Sequence, residues 1–154
     1  IINNIFEFIN KNKFLGGIKM KKLLILEPNL KFEEIEIEGN EVTYEMLSSR
    51  LGFIEHLAGY NDTLDKHHIS IWCDEEHKLK DGWELNSNIA IVDEFDRLVE
   101  LLAGRLVFTI DGPFGETFGL DDEHIKIIKE QLSSEGIINF GMINKKVKIL
   151  KYTK

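Results

Sequence analysis

The sequence is poor in the residues that cross-link or interrupt a chain. It holds one cysteine, Cys73, and two prolines. A single cysteine excludes an internal disulfide and fits a reducing, cytoplasmic setting. No apolar run approaches the roughly 20 residues of a membrane span. The stretch Met20-Lys21-Lys22-Leu23-Leu24-Ile25-Leu26 resembles the start of a secretory signal. Its apolar run, however, stops at Glu27-Pro28, short of the roughly 7–15 residues such a signal needs. Basic residues are also scarce, with 19 Lys and Arg against 27 Asp and Glu, a net charge of −8. No cationic excess exists to replace the counterions of a phosphate backbone, which argues against direct nucleic-acid binding. The same deficit disfavours anionic membranes. No internal repeat or low-complexity run interrupts the chain.

What is present suits a folded domain. The hydrophobic fraction is 43 %, so burial can offset chain entropy and one core is expected. The first nineteen residues stand apart. Leu15-Gly16-Gly17-Ile18-Lys19-Met20 back-translates to TTA GGA GGT ATA AAA ATG, a ribosome-binding site, a spacer and a start codon. The preceding stretch has the Ile, Asn, Lys and Phe bias of translated AT-rich DNA. Residues 1–19 are therefore expected to be a translated upstream region, with 20–154 as a single domain. The alternative is an N-terminal amphipathic helix with Ile2, Ile5, Phe6 and Ile9 on one face. Taking the three Lys and one Glu of residues 1–19 from the totals leaves 16 against 26, a net charge of −10 for the remainder.

Periodicity then gives an order of elements. Leu23 to Leu26 reads as a buried strand closed by a turn. Residues 32–38 alternate as a strand, with Ile35 and Ile37 on one face and Glu34, Glu36 and Glu38 on a wet one. A helix follows, capped by Thr43, stapled by Val42 and Leu47, and stopped at Gly52. Residues 53–57 and 67–73 read as strands separated by a loop. Asp81-Gly82 signals a hairpin. Phe95, Leu98, Val99 and Leu102 fall at i, i+3, i+4 and i+7, which predicts a helix over 94–103 between an Asp93 cap and Gly104. A strand at 105–110, a glycine-rich turn, a helix capped by Asp121, and a hairpin about Asn144-Lys145 close the chain. The order ββαββαβαββ predicts an α+β domain, a mixed or mostly antiparallel sheet with about three helices.

Several of these features together resemble the domain of unknown function 3846, a family of bacteria, phages and plasmids. The matching parts are "LLILEP", the helix running into "LGFIEHL", "ISIWCDEEHKL", "LLAGRLVF" and "GLDDEHI". They cover roughly Lys22 to Leu132. The family usually shows two glycines where this chain has Gly52 alone, and the final hairpin extends beyond it. The resemblance implies a bacterial or mobile-element setting and implies no activity.

The densest set of reactive side chains is His67, His68, Cys73, Asp74, Glu75 and His77. A zinc site needs three or four converging ligands, whereas in an extended strand His67 and His68 point to opposite faces. Cys73 shares a face with Ile69 and Ile71, where a thiol behaves as a small hydrophobe. Gly112, Gly115 and Gly119 lack the spacing of a dinucleotide loop, and no Lys-Ser/Thr follows as in a phosphate loop. No catalytic residue, metal or cofactor is therefore assigned. Residues 33–49 carry six Glu and no Lys or Arg. They read either as a solubilising face or as a surface that meets a basic partner. The leading expectation is a non-enzymatic module that binds another protein, one with a basic surface. The alternatives are an acidic nucleic-acid mimic that inhibits a host nuclease, and a small enzyme or ligand binder using residues 67–77. A cleft gathering His68, Asp74 and His77 would favour the last.

Overall fold

The computed structural model describes residues 20–153, so the reading of 1–19 as an upstream region lies outside the described residues. The architecture is α+β, with 43 % strand. The first sheet has the order β2-β1-β7-β4-β3. Its strands are β1 (Lys21–Leu26), β2 (Phe32–Ile37), β3 (Ile54–Leu57), β4 (Ile69–Asp74) and β7 (Leu106–Asp111). All its pairings are antiparallel, and the two-residue β8 (Thr117–Phe118) adds to the end of β7. The second sheet has the order β6-β5-β10-β9, from β5 (Ser87–Val92), β6 (Leu98–Ala103), β9 (Glu135–Asn139) and β10 (Asn144–Lys151). Its central β5–β10 pair is parallel and the outer pairs are antiparallel.

The centre of the first sheet is buried on both faces, which explains the unbroken apolar run of β1. Leu24 and Leu26 point into the main core with Phe108 of β7, Ile89 of β5 and Leu150 of β10. The helix α3 (Asp122–Gln131) adds Ile125 and Ile128 to that core. Leu23 and Ile25 turn the other way and pack under α1 (Tyr44–Leu51), against Leu47, Leu51 and Val42. The α1 ends are those read in the sequence. Thr43 Oγ1 accepts from the Met46 N–H at 3.2 Å, and Gly52 ends the helix at φ 85°. At α3 Asp121 accepts from the His124 N–H at 3.0 Å. A five-residue helix, α2 (Asp62–Lys66), lies in what reads as a loop.

The expected helix over 94–103 is not formed. Residues 98–103 are β6, and 93–97 form the tight turn that joins it to β5. The Asp93 side chain does cap a turn, accepting from the N–H groups of Phe95 and Arg97 at 2.9 Å, but the turn belongs to a hairpin. An Asp cap serves either structure. Strand β5 decides the matter, because all six of its residues are buried and both of its edges need hydrogen-bond partners. One edge takes β10 and the other takes β6. The apparent helical stripe also fails on burial, since Phe95, Leu98 and Val99 are exposed.

Three other expectations shift. Asp81-Gly82 leads between two 3₁₀ turns, His77–Leu79 and Trp83–Asn86, and makes no hairpin. The last hairpin turns at residues 140–143, with Gly141 at φ 85°, three residues before Asn144. Glu34 does not stand on a freely wet face. It shares the face of Leu24 and pairs with Lys22 at 3.0 Å and Lys129 at 3.3 Å.

The hairpin assignment has a direct test. Asp96 sits in the left-handed region, at φ 60°, where an L-residue is strained and glycine is not. Asp96→Gly is expected to leave stability unchanged or to raise it by up to about 1 kcal/mol in urea unfolding. In a helix interior the same change costs about 0.3 kcal/mol, because aspartate is already a poor helix former, and a measurable loss of stability would restore the helix.

Candidate functional site

A cleft of about 400 Å³ opens at one end of the first sheet, between the C-terminal turn of α1 and the β6–β7 turn. Its walls come from distant parts of the chain. Glu27 follows the end of β1 there, β4 ends there at Asp74, and the first 3₁₀ turn brings His77 and, just after it, Lys80. Arg50 comes from the last turn of α1, and Arg105 from the turn into β7.

One buried side chain fixes two of these walls. Asn88 of β5 is fully buried, and its Nδ2 donates to the Leu26 carbonyl at 2.9 Å and the Gly104 carbonyl at 2.8 Å. It thereby ties the end of β1 to the β6–β7 turn. Gly104 holds φ 81°, and its own N–H donates to the Asn86 carbonyl at 2.8 Å. A side chain there would be strained.

Three cations meet two carboxylates in the cleft. Arg105 Nε donates to Glu27 Oε1 at 2.7 Å, and Lys80 Nζ to Asp74 Oδ2 at 2.6 Å. Burial pushes the Asp74 carboxyl up, but Lys80 and the Glu76 N–H outweigh it and hold it below its ordinary value. Arg50 Nη1 donates to the Met46 carbonyl at 2.7 Å, and among the described residues Arg50 forms no ion pair. The balance at the cleft is cationic in a chain whose net charge is −8. His77 Nδ1 lies 2.6 Å from the Asp74 carbonyl. That acceptor requires a proton on Nδ1, so Nε2 is the acceptor atom of the neutral ring. Nε2 is buried with no hydrogen-bond partner among the described residues. The arrangement suits the binding of an anion by charge-assisted hydrogen bonds.

Of the residues marked out by the sequence, Asp74 and His77 reach this cleft. His67 and His68 lie at the other end of β4, where His67 caps α2 and His68 turns the chain at φ 58°. They are not extended, so the alternation expected of them does not apply. Cys73 lies in the main core with Ile69 and Ile71, as its spacing indicates. Burial there pushes its thiol up to about 12. Among the described residues no group of three or more His, Cys, Asp or Glu is placed to hold a metal ion. Trp72 packs beside the α1 cluster and donates from Nε1 to Thr109 Oγ1 at 2.7 Å. Trp83 closes over the outer face of the second sheet, 5.8 Å from the ring of Phe140. Arg50 and Arg105 carry no signal in the sequence, because each is a single surface-type residue until the fold brings them together.

No family model matches the chain, and no curated protein or solved structure matches it either. No helix among the described residues is long and apolar enough to cross a membrane.

Two outcomes are expected. Asn88→Ala strips the donor from two buried carbonyls, and each such orphan costs about 1–3 kcal/mol. The urea midpoint should fall by the equivalent of about 3 kcal/mol; an unchanged midpoint would mean that the two walls are not tied. The native Cys73 thiol should resist a maleimide at pH 8 and react only on unfolding. Rapid labelling of the folded chain would place Cys73 outside the core.

Proposed function

We propose that the protein binds a small anionic molecule, one bearing a phosphate or carboxylate group, in the cleft at the end of the first sheet. The observation that carries this reading is the convergence of Arg50, Lys80 and Arg105 on one cleft of an acidic chain. The field of the whole protein repels anions, so a local excess of cations is a feature of the site and not of the composition. Asp74 and His77 contribute, which places this reading with the ligand-binding alternative for residues 67–77. The cytoplasmic setting and the resemblance to the domain of unknown function 3846 rest on composition and motifs alone.

A second reading, binding to another protein, is favoured by Phe114. It is 89 % exposed at the tip of the loop between β7 and β8, and exposed aromatic side chains are common interface anchors.

Calorimetric titration with inorganic phosphate, pyrophosphate and citrate tests the anion site. At least one is expected to bind saturably and to raise the melting temperature. Arg50→Met keeps the packing of the stem and removes the charge. A charge-assisted hydrogen bond is worth about 1.5–3 kcal/mol, so affinity should drop roughly 10- to 100-fold. Equal binding by the variant, or no saturable binding of any of the three, would overturn the reading.

A further inference from the structure

A second cleft, of about 250 Å³, opens near the start of β4 and carries the opposite charge. Strands β3, β4 and β7 present His56, Trp72 and Asp111 to it, and the loop at residues 112–116 bounds it with Gly112, Gly115 and Glu116. No Lys or Arg lines it. The His56 and Trp72 rings lie 4.7 Å apart, tilted by 60°.

The polar atoms beside it suggest a Ser-His-Asp relay, but the geometry is different. His56 Nε2 lies 2.8 Å from Ser70 Oγ and 3.0 Å from Asp111 Oδ1, so one ring nitrogen meets both partners. A relay needs the two partners on opposite nitrogens. Ser70 is also buried, 1 % exposed, and its hydroxyl donates to Asp111 Oδ2. The hydroxyl is spent on the carboxylate and has no open path to a substrate. What this network does is hold the Asp111 carboxylate in place at the mouth of the cleft. An ionised carboxylate offers about four acceptor sites, so Asp111 keeps capacity beyond these contacts. Glu116 Oε1 accepts from the Phe114 N–H at 2.6 Å, and its second oxygen takes no hydrogen bond among the described residues.

We infer that this cleft receives a planar organic cation, a guanidinium group foremost, between the Asp111 and Glu116 carboxylates and the Trp72 and His56 rings. Two oriented carboxylates suit the forked donors of a guanidinium. An indole face attracts the same cation. A metal ion is a poorer match, since no three metal-ligating side chains converge here. The cation is either the arginine side chain of a basic polypeptide or a free guanidino compound. Phe114 stands beside the site, 89 % exposed, where a polypeptide would touch it and a small molecule would not.

The test follows the two indole N–H signals of the full chain by NMR, with Trp83 as the internal control. The probes are acetyl-arginine-amide, its neutral counterpart acetyl-citrulline-amide, and a hexapeptide with one arginine between leucines. The arginine probes are expected to shift the Trp72 signal saturably and to leave Trp83 in place, and the citrulline probe to do neither. Glu116→Gln keeps the contact to the Phe114 N–H and should weaken the arginine probes at least fivefold. A tighter hexapeptide whose advantage disappears in Phe114→Ala assigns the cation to a polypeptide; equal affinities in both chains assign it to a small molecule. Equal response to arginine and citrulline, or an unchanged affinity in Glu116→Gln, would overturn the inference. Arg50→Met should not alter this response, which keeps the outcome separate from that of the anion site.

Discussion

The structure depends on a sheet whose inner strand β1 is covered on both faces. Strand β1 supplies Leu24 and Leu26 to the main core and Leu23 and Ile25 to the α1 side, all within 1 % of complete burial. A strand in that position has no solvent face, so every backbone group must find a partner within the sheet. It finds them in β2 on one side, and in β7 and the Leu120 backbone on the other. The second sheet repeats the condition at β5, buried along its whole length between β6 and β10. Two fully covered central strands leave polar function to the sheet ends, where side chains reach the edge of the core and the backbone turns.

Both clefts lie at such ends, and β4 contributes to each. Asp74, at its C-terminal end, belongs to the cationic cleft. Trp72, on the face toward α1, belongs to the acidic one. Each is backed by one buried polar side chain, Asn88 or Ser70, that holds a wall. Asn88 ties the Leu26 and Gly104 carbonyls behind the first, and Ser70 with His56 orients Asp111 behind the second. Buried polar groups of this kind are costly to leave unmade, so they fix geometry more firmly than exposed ion pairs do. Lys80 and Asp74 illustrate the contrast, because the lysine of that pair is 66 % exposed.

Much of the local structure was legible. The caps of α1 and α3 were readable because an N-cap is a contact between residues three apart in sequence. Cys73 was readable as a core thiol because strand alternation places it with Ile69 and Ile71. The failures were of another kind. Residues 94–103 carry a helical stripe and a good cap, and both signals are ambiguous over so short a run. The row of Glu34, Glu36 and Glu38 looked uniformly wet, yet Glu34 meets Lys22 and Lys129 across the edge of the core. The candidate site was half visible. Asp74 and His77 are close in sequence, while Arg50 and Arg105 are 55 positions apart and carry no shared pattern.

The sequence by itself determined the acidic balance, the single thiol, the α+β class, two of the helices and the five longer strands of the first sheet. Those follow from composition and from contacts within a few residues. Only the tertiary structure decided that residues 87–103 form two strands of a second sheet, that β1 and the β6–β7 turn meet across Asn88, and that two clefts of opposite charge flank β4. The physical reason is the same in each case. Satisfying the edges of a buried strand and balancing charge in a cleft involve partners tens of residues away, and no periodicity along the chain records them.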